Sequence, residues 1–102
     1  MGEFVKVAKA SEIADQTAKC VDVQGKTIAV FNLEGEFYAI DDACTHEEGP
    51  LSEGFVEGDE VECPWHAARF NIKTGAHTCA PAYEDVACYK VRVSGDDVEV
   101  EM

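Results

Sequence analysis

Basic residues are scarce in this chain. Its 102 residues hold 8 Lys and Arg against 21 Asp and Glu, a formal charge of −13 at pH 7. A phosphate backbone is bound by clustered cations, and there are few here to cluster, so the simple nucleic-acid reading is ruled out. Docking on an anionic membrane leaflet is disfavoured on the same ground. No apolar run approaches the roughly 20 residues that cross a bilayer. The opening Met1-Gly2-Glu3-Phe4-Val5-Lys6 lacks a cationic stretch followed by a long apolar core, and Lys6 stands where myristoylation needs Ser or Thr. The expectation is a cytoplasmic protein with no nucleic-acid and no membrane partner. Low-complexity segments, internal repeats and linkers are also missing, which leaves one domain over residues 1–102.

What is present is a chain with 46% hydrophobic residues and five Cys, at positions 20, 44, 63, 79 and 88. A domain this short buries only about 60 to 65% of its unfolded surface, so a staple is expected, either a disulfide or a metal. The odd number of Cys leaves one thiol over in any complete disulfide scheme. In a reducing cytoplasm, clustered Cys more often bind metal.

Short β-type runs separated by glycine turns recur along the chain. Phe4 to Ala8 alternates, with Val5 and Val7 on one face. Ala18 to Val23 and Lys26 to Leu33 are joined by Gln24-Gly25, a two-residue hairpin turn, and Glu34-Gly35 repeats the device before Glu36 to Ile40. Ala87 to Val93 alternates with Tyr89, Val91 and Val93 on one face, and Ser94-Gly95-Asp96 turns the chain into Val98 to Glu101. Helical periodicity is confined to one short turn at Ser11 to Ala14, which Ser11 is placed to cap. The pattern predicts an all-β fold, a small antiparallel sandwich or barrel. Between Ile40 and Tyr83 lie four of the eight Gly, all three Pro, all three His and three of the five Cys, and here the periodicity gives way to loops. Loops on a rigid frame are where binding chemistry sits.

Two motifs stand out there, Cys44-Thr45-His46 and Cys63-Pro64-Trp65-His66, with sixteen residues between His46 and Cys63. Each offers one thiolate and one imidazole in a short loop. Four ligands of mixed softness suit either a tetrahedral zinc ion or a cluster with chemically different ends. Zinc fingers usually present two Cys and later two His, whereas these alternate. Alternation has a physical sense if each loop sends its Cys to one metal and its His to another.

On Cys44-x-His46 and Cys63-x-x-His66 the sequence resembles the Rieske proteins, which hold a 2Fe-2S cluster through two Cys on one iron and two His on the other. Gly75 and Cys79-Ala80-Pro81-Ala82 resemble the family's third loop, which covers the cluster. The strand runs of residues 4–40 and 87–101 match the β frame of the small soluble Rieske ferredoxins. The resemblance implies a Rieske-type fold with a loop-rich cluster-binding subdomain, about 41–83, inserted in a β base of 1–40 and 84–102. It implies one 2Fe-2S cluster held by Cys44, His46, Cys63 and His66. Respiratory Rieske subunits carry an extra Cys in each ligand loop; Gly49 and Trp65 occupy those places here. The hydroxyl residues two and four positions after the second His are replaced by Ala68 and Phe70. Fewer donors to the cluster imply a low potential.

The function implied is that of a soluble one-electron carrier and not an enzyme. It would pass electrons from an NAD(P)H-dependent flavoprotein ferredoxin reductase to a terminal Rieske oxygenase that hydroxylates aromatic rings. The alternatives are a small Rieske subunit of an assimilatory nitrite reductase and a zinc-stabilised β binding module. No catalytic residue is assigned. Cys20, Cys79 and Cys88 read as structural, with Cys20 and Cys88 buried or half-buried in strands. His77 reads as exposed and Trp65 as an exposed rim residue. Arg69 is expected to pair with a nearby acid. The doublets Asp41-Asp42, Glu47-Glu48 and Asp59-Glu60 read as solvated surface.

Overall fold

The computed structural model describes residues 3–42, 50–64, 68–79 and 85–101. Eleven strands follow one another among these residues. They are β1 (Phe4–Lys9), β2 (Thr17–Val23), β3 (Lys26–Leu33), β4 (Glu36–Asp41), β5 (Phe55–Glu57), β6 (Glu60–Glu62), β7 (Arg69–Asn71), β8 (His77–Cys79), β9 (Cys88–Tyr89), β10 (Val91–Ser94) and β11 (Asp97–Glu101). All pairings are antiparallel, in three sheets ordered β1-β11-β10, β2-β3-β4-β9 and β5-β6-β7-β8.

The near-continuous apolar run of β3 follows from its central place. Ala29, Phe31 and Leu33 face one core with Val61, Phe70 and Ile72 of the small sheet side, and Ile28 and Val30 face a second core with Val98 and Val100. A strand covered on both faces loses its hydrophobic alternation. Asn32 is the polar exception in β3. Its amide donates to the Ile13 carbonyl at 2.7 Å and its Oδ1 accepts the Gly35 N–H at 2.8 Å, so burial leaves it paired.

The two hairpins around β3 are turned as the sequence predicts. Gln24 and Gly25 have φ of 50° and 82°, and Glu34 and Gly35 have φ of 55° and 88°, the double left-handed conformation of a tight β-hairpin. In β1 the register shifts between Lys6 and Ala8, so Ala8, not Val7, is the fully buried residue.

Three expectations need correction. The loops foreseen between Ile40 and Tyr83 contain the whole four-stranded sheet β5 to β8, together with a 3-10 turn at Leu51–Glu53. The single run expected over Ala87 to Val93 is broken at Lys90: β9 joins β4, β10 joins β11, and Val93 is exposed. The short turn spans Ala10–Glu12. Glu12 Oε1 accepts the Lys9 N–H at 2.9 Å, and Ser11 Oγ donates across to Asp96 at 2.8 Å without capping its own turn.

Candidate metal centre

Cys63 directly follows β6 and is 1% exposed. Its N–H donates to the Ala68 carbonyl at 2.7 Å, which ties the two ends of the segment containing His66. Cys63 is the one predicted ligand among the described residues; Cys44, His46 and His66 lie outside them, as do Gly49, Trp65, Pro81 and the Glu47-Glu48 doublet.

The anchors of all three expected loops are nonetheless described, and they converge. The segment 43–49 leaves after Asp42 and returns at Pro50, where Leu51 donates its N–H to the Asp42 carbonyl at 2.6 Å and Ser52 donates to Asp42 Oδ1 at 2.7 Å. The third loop springs from Gly75, whose carbonyl accepts the Val86 N–H at 2.9 Å. Gly75 has φ of 81°, and a Cβ there would lie 2.2 Å from the Val86 carbonyl oxygen, so only glycine fits. Leu51, Cys63, Ala68 and Val86 then meet in a single buried cluster with Phe70 and Ile72. The three loop anchors share one apolar floor, and Cys63 is built into that floor away from water.

Phe70 and Ala68 are both fully buried. The side chains that stand where respiratory relatives carry hydroxyls are therefore apolar parts of the floor. On the outer face of the small sheet, Arg69 pairs with acids as expected, reaching Glu57 at 3.1 Å, Glu60 at 3.6 Å and Glu62 at 3.7 Å. The Glu57 hydrogen bond raises the Arg69 pKa further.

Several side chains differ from their sequence reading. Asp42 is buried and Asp41 accepts the Tyr89 hydroxyl at 2.6 Å, so this doublet is structural and not solvated surface. Burial, and then Asp41, raise the Tyr89 pKa. Cys20 and Cys88 are exposed, not buried. The Cys20 thiol still lies against Asp42, at 3.5 Å; desolvation of the sulfur first, and the carboxylate second, push its pKa up. His77 is exposed as expected, and it is held by Asp85. The roles of Asp42 and Asp85 were not readable from sequence, because each comes from a partner brought in by folding: Ser52, ten residues on, and His77, eight residues back.

A β frame that brings three loop anchors to one buried floor containing Cys63, in a chain with two Cys-His motifs between those anchors, suits an iron–sulfur electron carrier. The Rieske [2Fe-2S] domain family model matches residues 3–90. The chain belongs to that family. The naphthalene 1,2-dioxygenase system ferredoxin component of Pseudomonas aeruginosa is 41% identical over 91 residues, 89% of this chain and 88% of that protein. Among solved structures, the ferredoxin of carbazole 1,9a-dioxygenase from Nocardioides aromaticivorans IC177 superposes with a TM-score of 0.91 at 33% identity, covering 95% of each chain. A complex of reduced oxygenase and oxidised ferredoxin in carbazole 1,9a-dioxygenase contains a chain matched with a TM-score of 0.90 at 35% identity, covering 96% of this chain and 92% of that one.

The cofactor of such a domain is one Rieske-type [2Fe-2S] cluster, and the protein is an electron carrier, not an enzyme. The one candidate ligand among the described residues fits the group, because the buried Cys63 offers a sulfur shielded from water. Among the described residues no helix is long and apolar enough to cross a membrane.

Proposed function

We propose that this chain carries one electron at a time from an NAD(P)H-dependent flavoprotein reductase to a terminal oxygenase that hydroxylates aromatic rings. The ligands are Cys44 and Cys63 through sulfur and His46 and His66 through nitrogen, with residues 41–83 as the cluster-binding subdomain on a base of 1–40 and 84–102. When bound, the cluster supplies one-electron redox chemistry. The observation that carries this reading is the convergence of the three loop anchors on the floor that contains Cys63. Relatives named as ferredoxin components, one of them seated with an oxygenase, support the choice of partner.

The protein's own residues have three tasks. Cys63 keeps its sulfur within the apolar floor, away from water. Ala68 and Phe70 offer no hydroxyl to the centre. The remaining loop residues would leave an edge open to a docked partner, near Trp65 and Pro81. A reducing cytoplasm suits thiolate ligands and is the proposed location.

The test is reconstitution of the full chain with iron and sulfide, followed by NADH-driven turnover with a reductase and an oxygenase. Two irons and two acid-labile sulfides per chain, a visible Rieske spectrum and its loss in Cys44→Ser and His66→Ala are expected. A colourless protein holding one zinc, or a spectrum unchanged in those variants, overturns the proposal.

A further inference from the structure

Asp42 is 7% exposed, and none of the ion pairs among the described residues involves it. A buried carboxyl group costs free energy unless donors take its lone pairs. Here the donors come from two separate elements. Oδ1 accepts the Ser52 N–H at 2.7 Å, and Oδ2 faces the Cys20 thiol of β2 at 3.5 Å. The main chain of the same residue is engaged at both ends. Its N–H donates to the Thr27 carbonyl of β3 at 3.1 Å, and its carbonyl accepts the Leu51 N–H at 2.6 Å.

These bonds join the point where segment 43–49 leaves the β frame to the point where it returns. Ser52 stands in the first turn of a 3-10 helix, where an N–H has no partner within the turn and needs one from outside. The usual supplier is the residue just before the turn. That residue is Pro50, which has no such group to offer, and Asp42 supplies the oxygen from across the loop.

We infer that Asp42 is a positioning residue of the electron carrier: by taking the Ser52 N–H it fixes the exit of the first loop against its entry, and so orients the ligands on that loop. The inference rests on the reading of Cys44 and His46 as ligands. The two main-chain bonds do not involve the side chain and survive substitution by Ala or Asn, so the side-chain bond can be removed alone. Asn keeps an oxygen at the Oδ1 position and Ala does not.

The experiment compares holoprotein with Asp42→Ala, Asp42→Asn and Cys20→Ala, reading visible circular dichroism, the EPR g-values of the reduced form and the rate of bleaching by a chelator. Asp42→Ala is expected to shift the g-values and to bleach roughly tenfold faster, the scale of one hydrogen bond to a carboxylate. Asp42→Asn is expected to restore both signatures, and Cys20→Ala to leave them unchanged. Should Asp42→Ala retain the wild-type g-values, or should Cys20→Ala reproduce its effect, the positioning role is overturned. Should Asp42→Ala fail to fold, Asp42→Asn decides: altered g-values there reject the inference, and retained ones support it. A wild-type protein with no Rieske spectrum would instead overturn the ligand reading itself, which keeps the two failures apart.

Discussion

His77 and Asp85 meet twice at the foot of the third loop: the Asp85 carboxylate accepts the His77 backbone N–H at 3.0 Å and lies 2.5 Å from its ring Nδ1. The backbone N–H first, and the imidazole second, hold the Asp85 pKa below its usual value of 3.8. A carboxyl whose folded pKa is lowered contributes its stabilisation above the unfolded value and loses it as pH falls through the folded one. The clasp is thus complete at neutral pH and opens below about pH 4. Amide exchange at His77 should be several-fold faster in Asp85→Ala than in wild type at neutral pH. The two proteins should converge, after correction for intrinsic rates, in strong acid. Equal protection at neutral pH would show that the clasp does not hold the loop.

The hairpin turns contain a different kind of local tension. Gln24 and Glu34 sit at positive φ, where side chains other than Asn and Asp are disfavoured. Gln24→Asn and Glu34→Asn should each stabilise the fold by about 0.5 kcal/mol, or roughly 2–4 °C in thermal midpoint. The main-chain bond from Glu34 N–H to Asp15 Oδ1, at 2.6 Å, is retained in the second variant. Circular dichroism melts of the holoprotein check both.

Gly25 and Gly75 share nearly the same φ, 82° and 81°, but differ in surroundings. Nothing lies within 4 Å of a Cβ built on Gly25, whereas one on Gly75 would meet the Val86 carbonyl oxygen at 2.2 Å. Gly25→Ala should therefore cost about 1 kcal/mol, the backbone penalty alone. Gly75→Ala should cost about 2–4 kcal/mol, because the Val86 main chain must move and the N–H it donates to Gly75 is disturbed. Chemical denaturation of the two variants separates these contributions, and similar losses would contradict the close approach.

These contrasts show what the sequence could and could not reveal. The hairpins flanking β3 were legible because alternation and the Gln-Gly and Glu-Gly turns agree. The small sheet was not. Its strands are three residues long, and inward Val56, Val61 and Phe70 are masked by Glu57, Glu60, Glu62 and Arg69 on the other face. Cys20 was misplaced because β2 buries Val21 and Val23 in one core, while residue 20, beside Asp42, remains exposed. For the site, Cys63 was legible as part of a spaced motif. Gly75 was marked only as the start of a loop, and its need to be glycine comes from Val86, eleven residues on.

The apolar floor bears on redox potential. Ala68 and Phe70 are fully buried and have no hydroxyl to donate, so a cluster held by the proposed ligands would receive less stabilisation of its reduced form. The midpoint should fall near the lower end of the Rieske range of roughly −150 to +300 mV. Phe70→Tyr and Ala68→Ser should each raise it by tens of millivolts wherever the new hydroxyl reaches the centre. A redox titration of wild type that lands well above zero would refute the argument.

Charge supplies the last prediction. Among the described residues, Lys6, Lys19, Arg69, Lys73 and Arg92 are tied to acids, and with 21 acids against 8 cations the acidic excess stays largely uncompensated. Such a surface steers encounter with basic patches on a partner, and salt screens it over about 10 Å at 0.1 M. Electron transfer to the oxygenase under second-order conditions should slow roughly tenfold between low and 0.5 M salt, with the midpoint potential nearly unmoved. Neutralising the outer face of the small sheet, for example with Glu57→Gln, should flatten that slope if partners approach from this side. Glu57 also binds Arg69 at 3.1 Å, so Glu3→Gln, at an exposed position just ahead of β1 in a different sheet, is the control for loss of one negative charge. Rates that ignore ionic strength in the wild-type protein would confine the role of the −13 charge to solubility.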